Sequence, residues 1–192
     1  VIIIDPYVSD RLKSDKATNL LGFVDELRML WDSAGKLGNI KRKFQKDDVD
    51  GEPTIAYRLY DRYPEPHFKE RAPRERETIR DPYRDGEFVE IHGQFFTVVV
   101  EFSIYALEDE VADEVTSELE DFIFNYKGYF KKKGVNNIFF LRQGPDELFD
   151  KYKVHLAKRT LYFDITIEKI IPKMLNQIGQ VNVEANVHER LN

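Results

Sequence analysis

The sequence predicts an α+β protein: a mixed, largely antiparallel sheet with two main helices packed on one face, a long Pro/Arg-rich loop and a C-terminal extension. Two stretches with helical spacing, three strictly alternating stretches and one proline-rich interval without either pattern lead to that class. The 192 residues fit one domain, read as 1–171 with a loop at 61–86 projecting from it and 172–192 as the extension. With 42% hydrophobic residues, including 14 Phe and 10 Tyr, the chain can fill a sizeable core.

From Ala17 to Trp31, Leu20, Val24, Leu27 and Trp31 share one face, with Leu21 and Leu30 at its edges, which is amphipathic-helix spacing. Ser14 or Thr18 is the expected cap, and Gly35 and Gly38 end the pattern. "TIAYRLY", 54–60, alternates as a strand. The interval 61–86 holds four prolines and six arginines with almost no aliphatic side chains, so a central strand or an uninterrupted helix is not expected there. "GQFFTVVVEFSIYA" then gives a long strand, with Phe96, Val98, Val100, Phe102 and Ile104 on one side and Phe95, Thr97, Val99, Glu101 and Ser103 on the other.

Between Glu108 and Lys127, apolar residues recur at intervals of three and four. Acids crowd the start of this stretch and Lys127 ends it, as the helix dipole favours. Gly128 and Gly134 bracket "YFKKK", and "NNIFFLR" supplies the next strand, ending near Arg142. "DELFD" is read as a helical turn or loop. The last strand is expected from Lys153 to Ile170, stopped by Pro172. Leu161, Phe163, Ile165 and Ile167 form its core side, and Thr160, Tyr162, Asp164, Thr166 and Glu168 a polar row turned to water or to a neighbouring subunit.

The residues do not converge on catalytic chemistry. Asp164 and Glu168 stand roughly 13 Å apart along one strand face, too far to share a metal ion without help. Glu168 and Lys169 are adjacent and point opposite ways, unlike the acid and lysine of a nuclease strand. His67, His92, His155 and His188 are dispersed, without zinc-ligand spacing. There is no Gly-x-Ser-x-Gly elbow, and Gly35 and Gly38 lack the Lys-Ser or Lys-Thr of a phosphate loop. The absence of cysteine removes thiolate nucleophiles and fits a reducing compartment.

The formal charge of −6 disfavours sequence-independent binding to a phosphate backbone. The apolar start "VIII" is too short for a signal peptide or a membrane span, so a soluble chain made and used in the cytoplasm is expected. The loop arginines Arg71, Arg74, Arg76, Arg80 and Arg84 have acidic neighbours at 70, 75, 77, 81 and 85, which suits pairing between subunits better than a cationic track, with a solvated, self-neutralising loop as the other reading.

From Phe95 through Lys169 the chain resembles tail terminator (tail completion) proteins of tailed bacteriophages. The pattern lies in "GQFFTVVVEFSIYA", "LEDEVADEVTSELEDFIFNYKGYF", "KKKGVNNIFFLRQGPDE" and "KRTLYFDITIEKI", with an Arg-rich, Pro-containing loop upstream. The resemblance implies a structural virion protein with no catalysis and no cofactor. Several copies, six by resemblance, would close into a ring at the head-proximal end of the tail. That ring would end polymerisation of the tail tube protein and offer a surface to the head–tail connector protein, after assembly in the host cytoplasm.

Arg62, Arg71, Arg74, Arg76, Arg80, Arg84, Asp164 and Glu168 are the candidate residues for a subunit or tube interface. An acidic chain also suits a lumen through which DNA passes without specific binding, and no membrane is expected. Another neck or baseplate component and a metal-dependent nuclease are the alternatives.

Overall fold

A computed structural model of the chain describes residues 18–45, 48, 52–66, 72–80, 86–151 and 154–174. They fall into two compact units: those of 18–66 with those of 94–169, and those of 72–93 with 170–174.

In the first unit, Asn19 caps helix α1 (Leu20–Ser33), its side chain accepting from the Gly22 amide at 2.9 Å. The expected caps are not used: Thr18 lies one residue too early, and Ser14 is outside the described residues. Gly38, at φ +100°, turns the chain into the short strand β1 (Asn39–Lys41), where a Cβ would come within 3.1 Å of the Pro53 carbonyl. Strand β1 pairs in parallel with the start of β2 (Thr54–Pro64), and β2 pairs antiparallel with β4 (Phe88–Ala106).

The second long helix, α2 (Asp109–Asn125), breaks at Tyr126 into the short α3 (Lys127–Lys132), which ends at Gly134 with φ +97°. Strand β5 (Val135–Gln143) and strand β6 (Glu147–Lys151) both pair antiparallel with β7 (Val154–Met174). The main strand order is β1-β2-β4-β7-β5. The sheet is therefore mixed and mostly antiparallel, with two long helices on one face, as predicted. Residues 147–150 of "DELFD" belong to strand β6, however, not to a helical turn: antiparallel pairing with the start of β7 overrides their weak pattern. Strand β7 also runs past Pro172, which a strand tolerates where no ladder donor is needed.

The core lies between that face and the helices. Phe23, Val24, Leu27 and Trp31 of α1 and Val115, Leu119, Phe122 and Ile123 of α2 bury against the alternating apolar residues of β4 and β7. The Trp31 ring meets Phe122 edge to face at 5.1 Å, and its Nε1 donates to the Gly38 carbonyl at 2.9 Å. Arg159, 4 % exposed on β7, donates to Asp113 at 2.6 Å and Asp109 at 2.9 Å, and lies 3.2 Å from Asp146. It thereby fastens the first turns of α2 to the sheet.

In the second unit, part of the interval read as a loop is strand. β3 (Arg74–Arg80) pairs antiparallel with residues 88–93 of β4, and all seven of its residues are exposed. A strand exposed on both sides needs no apolar alternation, and so left no trace in the sequence. No helix among the described residues is long and apolar enough to cross a membrane.

Candidate functional site

The polar row of β7 lies on the sheet face away from the helices. Its cross-strand partners are set by register: Phe139 of β5 opposes Asp164, and Arg142 opposes Tyr162. On β4, Thr97, Val99, Glu101, Ser103 and Tyr105 share this face. On β2, Arg58 opposes Glu101, and a bulge between Leu59 and Asp61 turns both Tyr60 and Asp61 to the same side.

At one end of the face, Phe44, Tyr105, Phe149 and Leu156 form a small apolar cluster, with Phe44 and Tyr105 rings 4.6 Å apart. Next comes a charged pair with its surroundings satisfied. Arg58 Nη2 donates to Glu101 Oε2 at 2.6 Å, and Ser103 Oγ donates to Glu101 Oε1 at 3.1 Å. Glu101 is only 3 % exposed. Tyr162 stands beside it, with Tyr60 edge to face at 5.2 Å and the Arg142 guanidinium over its ring at 4.3 Å. Burial and then the Glu101 charge push the Tyr162 phenol up.

Further along, Glu65, from just beyond β2, is buried and accepts hydrogen bonds from the hydroxyls of Thr97 and Thr166. Asp164 is close enough to feel its charge: burial first, and then Glu65, push the Asp164 carboxyl up. One oxygen of Asp164, Oδ1, is buried without a hydrogen-bond partner. Tyr63 is raised as well, by burial and then by Asp164 and Glu65. Two carboxylates with two threonine hydroxyls form an oxygen-rich, anionic spot suited to holding a proton. Among the described residues, no group of three or more His, Asp or Glu side chains gathers as a metal site.

Of the eight residues singled out in the sequence, six are among the described residues. Arg62, Asp164 and Glu168 belong to the first unit, and Arg74, Arg76 and Arg80 to β3 of the second. Arg71 and Arg84 lie outside the described residues. Arg62 is on the helix side of β2, with its guanidinium over the Phe96 ring at 4.1 Å, so it does not share a face with Asp164. The polar row is also drier than a solvated strand face: Thr160 and Thr166 are buried, and Tyr162, Asp164 and Glu168 half-buried.

Glu65, Arg58 and Glu101 were not singled out. Glu65 sits in the proline-rich interval, where no periodicity marks a side, and the Arg58–Glu101 pair is created by cross-strand register. Of the histidines, His92 lies 3.0 Å from Glu90, which Lys173 also approaches at 3.4 Å, and His155 pairs with Asp150. His67 and His188 are outside the described residues.

No family model matches the chain, and a search of curated proteins gives no match.

Proposed function

We propose that this protein is a structural component of a phage virion that closes the head-proximal end of the tail tube as a ring. In this reading it ends tube polymerisation and presents the surface to which the head connector attaches. The observation that carries the proposal is the fold of the stretch bearing the family pattern. Residues 95–169 supply most of β4, then α2, α3, β5, β6 and most of β7, and this stretch belongs to a sheet, mixed as a whole, with helices on one face, the kind of fold that the resemblance implies. The negative formal charge supports a lumen that lets DNA slide.

The test is the length distribution of tail tubes assembled with and without the chain, seen by electron microscopy. Overgrown or headless tubes without it, and a cap at one end with it, are expected. Unchanged lengths and no cap would remove the proposal, and a cap at the far end would favour a baseplate component. The approach of Glu65 and Asp164 is the feature that favours a nuclease instead. A magnesium-dependent phosphodiester hydrolysis lost in Asp164→Ala would establish that alternative.

A further inference from the structure

Strands β1, β5 and β6 of the first unit, and β2 beyond Ala56, are paired on one side only among the described residues, and the two longest open edges are those of β5 and β2. β5 is open along its length, and β2 is open beyond Ala56, where its pairing with β1 ends. Natural edge strands are usually blunted by lysine, proline or inward charges, because an open edge is a template for another chain. β5, "VNNIFFLRQ", has neither lysine nor proline, and it exposes Phe139, Phe140 and Leu141 in succession. Beside it, Phe124 at the end of α2 is 75 % exposed. A groove between α2 and β5 is lined by Glu120, Asp121, Phe124, Lys127, Ile138 and Phe140. An apolar patch of this kind with a charged rim marks an interaction surface.

The other open edge is its complement. On β2, Leu59 and Arg62 face the helix side of the sheet, opposite Val100 and Val98, and Leu59 is exposed. Arg62 forms no ion pair among the described residues, and neither do Glu120 and Asp121 across the molecule. A cation with an apolar neighbour thus sits at one edge, and at the other two acids flank an apolar groove that Lys127, with its ammonium over the Phe139 ring at 4.7 Å, also lines.

We propose that these edges are the two halves of one self-interface: the outer edge of β2 in one copy docks on β5 and the end of α2 in the next, with Leu59 entering the Phe124–Phe140 groove and Arg62 meeting Glu120 and Asp121. The occupant is a second copy of this chain because both complementary halves are on the same chain. The alternative self-pairings, β5 with β5 or β2 with β2, would set acid against acid or arginine against arginine. The contact is heterologous, so every copy uses each edge once and the assembly grows until rotation closes it. This deepens the ring element of the function proposed above and rests on that reading only for closure.

The chain has no cysteine, so introduced thiols report contact without background. Leu59→Cys and Phe140→Cys are made as separate full-length variants, then oxidised singly and as an equimolar mixture. The expected result is a reducible dimer several-fold more abundant in the mixture than in either variant alone. In sedimentation equilibrium, Arg62→Glu is expected to weaken self-association by about tenfold or more, and adding Glu120→Arg in the same chain to restore it.

Unchanged melting temperatures show that the variants fold. A dimer formed equally well by one variant alone would overturn the heterologous pairing. No cross-link in the mixture would overturn the docking, whether the wild type associates or stays monomeric. In either case the tube-length experiment still decides the function on its own terms.

Discussion

On the helix side of β7, Leu161, Phe163, Ile165 and Ile167 are buried against apolar residues of both long helices, and every contact there is interchangeable in kind. On the other side of the same strand, Thr160 and Thr166 are almost as inaccessible, but what lies around them is hydroxyls, carboxylates and tyrosines. Burial by apolar packing tolerates small shifts of neighbours, because dispersion and the hydrophobic effect have no direction. Burial of polar groups succeeds only where each finds its partner. The polar face shows both outcomes: Glu101 has Arg58 and Ser103, whereas Asp164 has a second carboxylate for a neighbour and an unpartnered oxygen.

The largest effect belongs to the apolar side. Phe102 is fully buried in the main core and packs edge to face on Phe163 at 6.0 Å. Phe102→Ala should cost about 4 kcal/mol in urea unfolding, through lost transfer energy and the cavity left behind. A loss below about 1 kcal/mol would mean that the core collapses around the gap, and the contrast between the faces would weaken.

Next in size is the satisfied pair. Arg58→Ala leaves Glu101 buried with only the neutral hydroxyls of Ser103 and Tyr162 beside it and should cost about 2 kcal/mol. The double variant Arg58→Ala/Glu101→Gln should recover part of that loss. A double variant no better than the single one would show that Arg58 acts by packing.

The smallest effect has the opposite sign. Asp164 holds its proton more tightly folded than unfolded, so the folded state binds the extra proton above the ordinary carboxyl value of 3.8. Stability therefore falls as pH rises from that value through the raised one, and the penalty is complete above it. Asp164→Asn should melt higher than wild type at pH 7, with the two melting curves converging in acid. A variant that melts lower at pH 7 would mean that Asp164 is held as a carboxylate.

Periodicity made most of the fold legible. Both long helices and the strands β2, β4, β5 and β7 each turn one apolar side to the core, and an apolar side is what spacing records. Phe23 was still missed as a core residue, although it is buried and meets Phe130 at 5.0 Å. The elements that escaped lack such a side. β1 has three residues, β3 is exposed throughout, and the α3 pattern is interrupted by Gly128.

The site was legible only as a row. Alternation placed Asp164 and its strand neighbours together, but their partners on other strands follow from register and bulges. The one-residue slip between Leu59 and Asp61 decides which β2 side chains join the polar face, and no local pattern announces it.

The chain has one tryptophan, and Trp31 is fully enclosed between α1 and α2 with its indole hydrogen-bonded. Its emission should be blue-shifted in the native state and move to the red as the helices leave the sheet. The fluorophore sits in the apolar core, remote in kind from the exposed tyrosines and phenylalanines at the open strand edges. One optical signal therefore follows folding and stays silent on association, so denaturation curves of the edge variants can be read without separating the two equilibria.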